Sequence, residues 1–508
     1  MKKTPVALLS IGILALSGCS IISGGGGLTP SGGDSSSSHE HVFSRVLTWD
    51  DEYHWYPAEC GHDVVSEKVP HEYHDWWTVD DDPSKMQRDC IYCNYTQIVD
   101  STGVKYEIEY GADHAQAHSI DARYVGPVVV EAEFQGMPVT ELPDGAFENA
   151  SLTSLSVPST IEKVGYTAFD GLPDSIFTEY QGGYYCGNED NPYHIFVRAV
   201  TTAKSVIMHE DTKQIAPNAF WRSEAEEIVC GDTITKLNYN TFACAVYAKR
   251  IVLPKNIRSI PYATFHQCIA LESLELPRYL TSIGNQAFYD CRALTELVIP
   301  NAVTTIGDAC FNNCESLTSL TLPGSLEELG TACFYRCKKL PEISIGNGMT
   351  SFYVHEGSLY QSKNNETWLV FVPQTKESVN IQSTVKVIGD YALDSCDKIT
   401  HLTLPDDLRV IGIAAFRACR KLTGLVFPDF IEKMGRAAFQ ECHGLTEINL
   451  PINLLSVGER CFKDCYNVES ITYPSRIYDF RQIKFGESWH DGIPNVKAVQ
   501  CTDGLAQI

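Results

Sequence analysis

The chain has 508 residues, of which 44% are hydrophobic and 20% charged, and its formal net charge is -25 at pH 7. A chain of this length is too long for one compact core, so several domains or an elongated array are expected. Nucleic-acid affinity comes largely from Lys and Arg side chains that displace counterions, so this acidic balance excludes nucleic acid as a main partner.

The first residues, MKKTPVALLSIGILALSGCS, contain two lysines and a short apolar run that ends at Leu16-Ser17-Gly18-Cys19. The run is too short to span a bilayer, so residues 1–18 are predicted to be a removable signal peptide. The last four residues resemble the lipobox of bacterial lipoproteins, and the resemblance implies that Cys19 is acylated and anchors the mature chain to a membrane. An ordinary secretory signal is the alternative.

Residues 19–38 are dominated by glycine and serine and have almost nothing to bury. Such a segment behaves as a flexible coil and is predicted to be a tether that spans roughly 20–25 Å by the square-root rule for Gly-rich chains.

Residues 39–100 hold six histidines, three cysteines and four of the seven tryptophans. This density of ligand side chains in a segment too small for a large core predicts a structural Zn²⁺. Cys90 and Cys93 form a Cys-x-x-Cys turn, and Cys60 and His62 are the nearest candidates for the third and fourth ligands. Further candidate ligands are His54, His71 and His74. The alternative is a disulfide between Cys90 and Cys93 outside the cell.

A motif with the form Ile-Gly-x-x-Ala-Phe-x-x-Cys-x-x-Leu-x-x-Leu-x-Leu-Pro then recurs at steps of 22 or 23 residues. Twelve units are centred on Phe147, Phe169, Phe220, Phe242, Phe265, Phe288, Phe311, Phe334, Leu393, Phe416, Phe439 and Phe462. A fixed period of this length predicts a solenoid in which each unit is one coil. The alternating leucines predict a short strand that proline ends, and stacked coils pair these strands into a parallel sheet.

One cysteine per coil occupies the same column of the predicted stack: Cys268, Cys291, Cys314, Cys337, Cys396, Cys419, Cys442 and Cys465. A metal ladder and a disulfide ladder are the functional interpretations. We favour core packing, because earlier coils place alanine, leucine or serine in this column and because metal sites need clustered ligands.

The motif closely resembles the leucine-rich repeats of BspA-like bacterial surface proteins, from about residue 101 onward. Residues 180–220 and 351–391 resemble the longer, hairpin-bearing units of that family, and residues 39–100 resemble small His-Trp and Cys-x-x-Cys modules found beside such repeats. The resemblance implies three segments: an N-terminal cap and entry strand (101–146), a leucine-rich repeat solenoid (147–473) and a C-terminal cap (474–508). Such caps cover open sheet edges.

Phosphate-binding loops, nucleophile elbows and metalloprotease motifs are all missing from the sequence, so we expect a protein that is not an enzyme. The residues between the buried leucines point outward and form a candidate binding face: Ser273, Glu275, Glu296, Ser319, Thr321, Glu342, Ser344, His401, Thr403, Glu447 and Asn449. The face is polar, somewhat acidic and without an aromatic column, which disfavours glycan binding there.

The family resemblance implies a lipid-anchored adhesin at the cell surface that binds host extracellular-matrix proteins, host cell-surface proteins or other bacteria. We expect a monomer with no cofactor in the solenoid. The alternatives are a component that captures glycans or proteins at the surface and a structural surface spacer, because fold does not fix function.

Overall fold

The structure is a computed structural model, and it describes residues 42–508 except 51, 60–64, 75–76, 80–81, 95, 101, 111 and 120–122. The chain forms two compact units. The described residues up to Asp75 and Arg88–Gln97 belong to the first, here called the module, and those in Trp76–Gln87 and Ile98–Ile508 belong to the second, here called the solenoid.

Short strands build the module. They are β1 (Thr48–Trp49), β2 (Tyr53–Trp55) and β3 (Val69–Pro70), which form an antiparallel sheet in the order β1-β2-β3. A second sheet consists of β4 (Trp77–Val79), β5 (Asp82–Asp89) and β6 (Thr96–Asp100), whose residues are divided between the two units.

The solenoid begins with a cap in which β7 and β8 pair as an antiparallel hairpin and β11 pairs with β8 in parallel. The strands of this cap are β7 (Val104–Glu107), β8 (Ala115–Ser119), β9 (Val125–Val129), β10 (Glu133–Phe134) and β11 (Met137–Leu142). The cap thus passes from hairpin pairing to the parallel pairing of the repeats.

The coils of the solenoid come after this cap in the chain, and most of them contain one or two short strands. Their elements are β12 (Ser151–Ser156), β13 (Lys163–Val164), the 3₁₀-helix η1 (Asp174–Ile176), β14 (Thr178–Tyr180), β15 (Gly183–Cys186), β16 (Ile195–Ala199), β17 (Ser205–Ile207), β18 (Gln214–Ile215), β19 (Glu227–Val229), β20 (Arg250–Val252), β21 (Ser259–Ile260), β22 (Ser282–Ile283), β23 (Glu296–Val298), β24 (Thr305–Ile306), β25 (Ser319–Leu322), β26 (Glu328–Leu329), β27 (Ser344–Ile345), β28 (Phe352–His355), β29 (Ser358–Lys363), β30 (Glu366–Phe371), β31 (Val385–Ile388), β32 (Val410–Ile411), β33 (Lys433–Met434), β34 (Glu447–Asn449), β35 (Ser456–Val457) and β36 (Ser470–Thr472).

Two parallel ladders run along the coils, where the sequence predicted one. The leucine ladder contains the predicted Leu-x-Leu strands, in the segments β17-β19-β20, β23-β25-β27 and β34-β36. The glycine ladder contains the short strands, mostly of two residues, just before the repeat glycine, in the segments β21-β22-β24-β26 and β31-β32-β33-β35. The predicted parallel β-solenoid is confirmed, and it has about 15 turns.

The phenylalanine rings of successive coils stack inside the solenoid. The ring centroids of Phe265 and Phe288 are 5.0 Å apart and those of Phe416 and Phe439 are also 5.0 Å apart, close to the spacing of paired strands. The column continues through Phe196, Phe371 and Trp489, which lie outside the repeat motif and account for the turns beyond the predicted twelve.

The turn around each phenylalanine is tight. Around Phe288, the residues two before and two after it, Gln286 and Asp290, adopt φ of 56° and 62°. The backbone N–H of Phe288 donates to the carbonyl of Cys310 in the next coil, at 2.9 Å. Such inter-coil hydrogen bonds satisfy the turn's polar groups and offset the cost of the left-handed residues.

The repeat glycine is explained by the close approach of the preceding coil. A Cβ at Gly435 would lie 2.5 Å from the carbonyl carbon of Gly412, and one at Gly458 would lie 2.4 Å from the backbone nitrogen of Arg436. Only glycine therefore fits without a shift of backbone.

The cysteine column is buried, as core packing predicts. Each thiol also makes a contact that the sequence did not suggest: Cys314 Sγ donates to the carbonyl oxygen of Phe288 in the preceding coil, at 3.2 Å. The same contact, at 3.0–3.2 Å, is made by Cys268, Cys291, Cys337, Cys419, Cys442 and Cys465. Burial raises the pKa of these thiols, to about 12 for Cys465, so they are neutral donors.

A C-terminal cap closes the stack. It comprises the helix α1 (Ile477–Phe480), β37 (Lys484–Phe485), β38 (Ala498–Cys501) and β39 (Gly504–Gln507). The last two strands form an antiparallel hairpin, which ends the parallel leucine ladder.

Candidate metal centre and binding face

The module brings four ligand side chains together. One ligand atom from each of His54, His71, Cys90 and Cys93 lies within 4.8 Å of all the others. His54 is in the middle of β2, His71 directly follows β3, Cys90 directly follows β5 and Cys93 is in the bend after it. Pairing of β2 with β3 sets His54 opposite Val69, two residues before His71.

The segments that carry the cysteines and the second histidine are joined by backbone pairing. Tyr73 and Cys90 form an antiparallel bridge, and the N–H of Ile91 donates to the carbonyl of Glu72 at 2.7 Å. The bridge holds the Cys-x-x-Cys turn against the residues that follow β3.

The distances fit a tetrahedral zinc ion. With Zn–S of about 2.3 Å and Zn–N of about 2.0–2.1 Å, sulfur and nitrogen ligands stand about 3.6 Å apart. Cys93 Sγ lies 3.4 Å from His71 Nδ1, and Cys90 Sγ lies 4.0 Å from His54 Nδ1. Two thiolates and two imidazoles are also a common donor set of structural zinc sites.

Neighbouring groups orient these ligands. His71 Nε2 lies 2.8 Å from the carbonyl oxygen of Asp50, which places the proton on that nitrogen and makes Nδ1 the coordinating atom. The carboxylate of Asp50 in turn accepts hydrogen bonds from the N–H groups of Glu52 and Tyr53, at 3.0 and 2.8 Å, and ends the turn between β1 and β2.

The surroundings of Cys90 and His54 favour the protonation states in which these side chains bind a metal ion. Burial opposes ionisation of Cys90, but hydrogen bonds from the Tyr92 N–H, His71 and Cys93 outweigh it and lower the pKa of Cys90 to about 7. Burial, followed by the nearby His71, lowers the pKa of His54 and keeps that imidazole neutral. A thiolate and a neutral imidazole are the forms that bind metal.

The predicted ligands divide into three sets. Cys90 and Cys93 are in the group, and so are His54 and His71, which the sequence proposed only as further candidates. His74 is exposed and is not in the group. Cys60 and His62 lie outside the described residues, as does Cys19. In the sequence, proximity to the Cys-x-x-Cys turn placed Cys60 and His62 first among the candidates. In the structure, the pairing of β2 with β3 and the bridge between Tyr73 and Cys90 bring His54 and His71 to the cysteines.

Every residue of the predicted binding face is exposed. Glu296, Ser319, Thr321 and Ser344 lie on β23, β25 and β27, where Glu296 pairs with Ser319 and Thr321 with Ser344. Glu447 and Asn449 lie on β34. The others lie outside assigned strands, at Ser273, Glu275, Glu342, His401 and Thr403. Only some residues of the predicted binding face therefore lie on hydrogen-bonded strands.

Among the described residues, no helix has the length and apolar character needed to cross a membrane. The fold and these surfaces define a leucine-rich repeat solenoid that follows a small module rich in histidine and cysteine.

The chain belongs to the family of the BspA type leucine rich repeat region, whose profile matches it in six copies over residues 133–176, 194–268, 240–365 and 370–489. This confirms the resemblance predicted from the repeat motif. No significant match to a curated protein was found.

Solved structures with similarity to the chain are also repeat proteins. A leucine rich cell surface protein from Faecalibacterium prausnitzii is 19% identical, with 76% of this chain and 97% of that chain covered and a TM-score of 0.45. A leucine-rich repeat protein from Bacteroides ovatus is 20% identical (78% and 92% covered, TM-score 0.39), and the pneumococcal vaccine antigen PcpA is 18% identical (78% and 86% covered, TM-score 0.37). Family membership rests on the sequence match.

Proposed function

We propose that the chain is a non-enzymatic, lipid-anchored cell-surface protein whose leucine ladder binds a protein ligand. The observation that carries the proposal is the row of short, exposed polar side chains on β23, β25 and β27, set in register on a rigid stack of coils. Repeat arrays offer long surfaces of this kind for protein contact. The relatives described as a cell surface protein and a vaccine antigen agree with display outside the cell.

The charge of the face suggests the kind of partner. Glu275, Glu296, Glu342 and Glu447 are exposed along it, and the chain as a whole carries a formal charge of -25. Complementary potentials guide association and fix register, so we propose a partner with a basic surface.

The test is binding of the full chain to immobilised fibronectin, laminin and collagen, measured by biolayer interferometry at several salt concentrations. We expect saturable binding to one of them that weakens as salt is raised. Glu296→Lys with Glu342→Lys should abolish it.

The matched control is Glu327→Lys with Glu328→Lys, which makes the same charge change at two exposed residues at the glycine ladder, a separate sheet from the face. Equal loss of binding in both double variants, or binding to none of the matrix proteins, would contradict the proposal.

We further propose that the module holds one structural Zn²⁺ on His54, His71, Cys90 and Cys93. The ion would supply the cross-link that the short strands lack, since a small segment rarely builds a sufficient core alone. Elemental analysis of the full chain should find one zinc per chain. Absence of zinc together with a Cys90–Cys93 disulfide in mass spectrometry would refute it.

We propose the lipid anchor from the sequence alone, since Cys19 lies outside the described residues. Replacement of the acylated cysteine, Cys19→Ser, should move the protein from the membrane fraction to the soluble fraction. Retention of the variant in the membrane fraction would rule out this anchor.

A further inference from the structure

The two hairpin-bearing units interrupt the stack of turns. In ordinary coils, a turn centred on phenylalanine follows directly on the turn of the preceding coil. Between the turns of Phe169 and Phe220, the column is instead continued by Phe196 in strand β16, whose ring lies 5.2 Å from that of Phe220. The coil that contains Phe196 therefore lacks the tight turn that surrounds the phenylalanine in ordinary coils. We call this position the first break.

A cavity of about 520 Å³ lies at the first break. Three of its lining residues are large exposed aromatics: Tyr166, Trp221 and Tyr262, with exposed fractions of 40%, 57% and 48%. Its polar lining residues are Thr167, Asp170, Arg198, Asn218, Asn240 and His266. The volume is in the range of small-ligand sites, and aromatic walls with a few polar groups are typical of them.

The second break, between the turns of Phe334 and Leu393, is filled by the protein itself. The rings of Tyr335 and Tyr391 are 5.4 Å apart there, and the guanidinium of Arg417 lies 4.9 and 5.4 Å from their centroids. Arg417 Nε also donates to the buried Asp394, at 2.7 Å.

The same three positions carry smaller side chains at the first break. Tyr335 follows its phenylalanine directly, as Asp170 follows Phe169. Tyr391 stands two residues before the column residue, as Asn218 does, and Arg417 corresponds to Ala243. Two aromatic rings and a guanidinium are thus replaced by side chains that leave the first break open.

Two polar side chains of the cavity are held in place. Arg198 donates through Nη2 to the carbonyl of Leu172 at 2.6 Å and to Asp174 Oδ1 at 2.7 Å. His266 stacks on Tyr289, with ring centroids 4.9 Å apart. Groups fixed before binding lose little conformational entropy on binding.

We propose that the cavity at the first break binds a neutral saccharide. The apolar C–H face of a sugar ring packs on exposed tyrosine and tryptophan rings, and its hydroxyl groups, each a donor and an acceptor, match the amides of Asn218 and Asn240 and the carboxylate of Asp170. An anionic ligand fits less well, because Arg198 is already paired with Asp174 and Asp170 adds negative charge.

This site is on the turns of the coils and not on the leucine ladder, so the inference does not depend on the proposed protein ligand. It also differs from the expectation drawn from the ladder residues, which have no aromatic column.

The test is isothermal titration of the full chain with maltotriose, cellotriose, the N-acetylglucosamine trimer and mannotriose. We expect saturable binding of at least one of them, accompanied by a change in tryptophan fluorescence. Trp221→Ala should weaken the binding by about tenfold or more, the contribution typical of one stacked aromatic.

A second variant fills the cavity as the second break is filled: Asp170→Tyr with Asn218→Tyr and Ala243→Arg should abolish binding. Tyr fits the left-handed backbone of Asn218 (φ 56°), since Tyr391 adopts φ 59° at the matching position. Tyr279→Ala, at an exposed tyrosine outside the cavity lining, is the matched control and should bind as the unmodified chain does.

Saturation by none of the four sugars at millimolar concentration would overturn the inference. Binding that survives both Trp221→Ala and the filled cavity would overturn it as well. If the triple variant fails to fold, as judged by near-UV circular dichroism, the test rests on Trp221→Ala and Tyr262→Ala. Both variants should then weaken sugar binding, and unchanged binding in both would overturn the inference.

Discussion

Cysteine has opposite roles in the module and in the solenoid. In the solenoid, Cys314 is buried, its thiol donates to the carbonyl of Phe288, and burial raises its pKa. In the module, the pKa of Cys90 is lowered to about 7, and two histidines and Cys93 stand within ligand distance. The residue type alone therefore says little about its chemistry.

The difference comes from the neighbours of each thiol. Each thiol of the column is buried among packed side chains and faces a backbone carbonyl, and both conditions favour the protonated form. The module places backbone N–H groups and imidazoles near its thiols, which favour the thiolate. The comparison predicts that the two regions depend on different forces: an ion in the module and close packing in the solenoid.

The largest effect is expected from removal of the module's thiolates. Cys90→Ser with Cys93→Ser should reduce the zinc content from one per chain to near zero and expose the module to protease, because structural zinc contributes about 10–16 kcal/mol in zinc-finger peptides. Elemental analysis and limited proteolysis measure both results.

The control is Cys291→Ser with Cys314→Ser, which should leave the zinc content unchanged. Loss of zinc in this variant would contradict the distinction between the two sets of cysteines.

A smaller effect is expected from the phenylalanine column. Phe288→Ala removes a fully buried ring between Phe265 and Phe311 and should lower the free energy of unfolding by about 3–5 kcal/mol. Urea denaturation measures it. Tyr279→Ala, at an exposed ring, should change stability by less than about 0.5 kcal/mol. Equal effects would mean that the column does not hold the coils together.

Next in size is the repeat glycine. Gly435→Ala places a Cβ 2.5 Å from backbone of the preceding coil and should cost about 1–3 kcal/mol, again measured by urea denaturation. Gly231→Ala is the control, since the nearest atom to its Cβ is 3.4 Å away. An unchanged free energy of unfolding in Gly435→Ala would show that neighbouring coils can move apart at this position at little cost.

The smallest effect is expected from a single thiol of the column. Cys314→Ala should cost about 1 kcal/mol, since it removes one buried sulfur and one hydrogen bond to Phe288. Cys314→Ser keeps a donor and should cost less than Cys314→Ala in the same urea measurement. The reverse order would show that the sulfur acts only as an apolar filler.

Much of the fold was predictable because the same sequence motif recurs in many coils. The period, the buried phenylalanine and the strand with alternating leucines all follow from residues at fixed spacing. The glycine ladder was not predicted, because strands of two residues such as β22 are too short to show the alternation of apolar and polar residues that identifies a strand. Phe196 and Phe371 were also missed as members of the column, since they lie in hairpins and not in the motif.

The candidate metal centre was predictable in part. A Cys-x-x-Cys turn in a segment rich in histidine pointed to Cys90 and Cys93 as candidate ligands, and sequence proximity placed Cys60 and His62, which lie outside the described residues, ahead of the other histidines. His54 and His71 reach the cysteines through the pairing of β2 with β3 and the bridge at Tyr73, and pairing across loops is not encoded in local spacing.

The sequence by itself determined the class of the protein: a leucine-rich repeat solenoid of the BspA type with an acidic composition and a small module. Only the tertiary structure decided which side chains meet. His54 and His71 join the cysteines, and the first break stays open while Tyr335, Tyr391 and Arg417 fill the second. The physical reason is that a repeat fixes the path of the backbone through many equivalent local choices, whereas a site depends on a few side chains that are distant in sequence and brought together only by the folded chain.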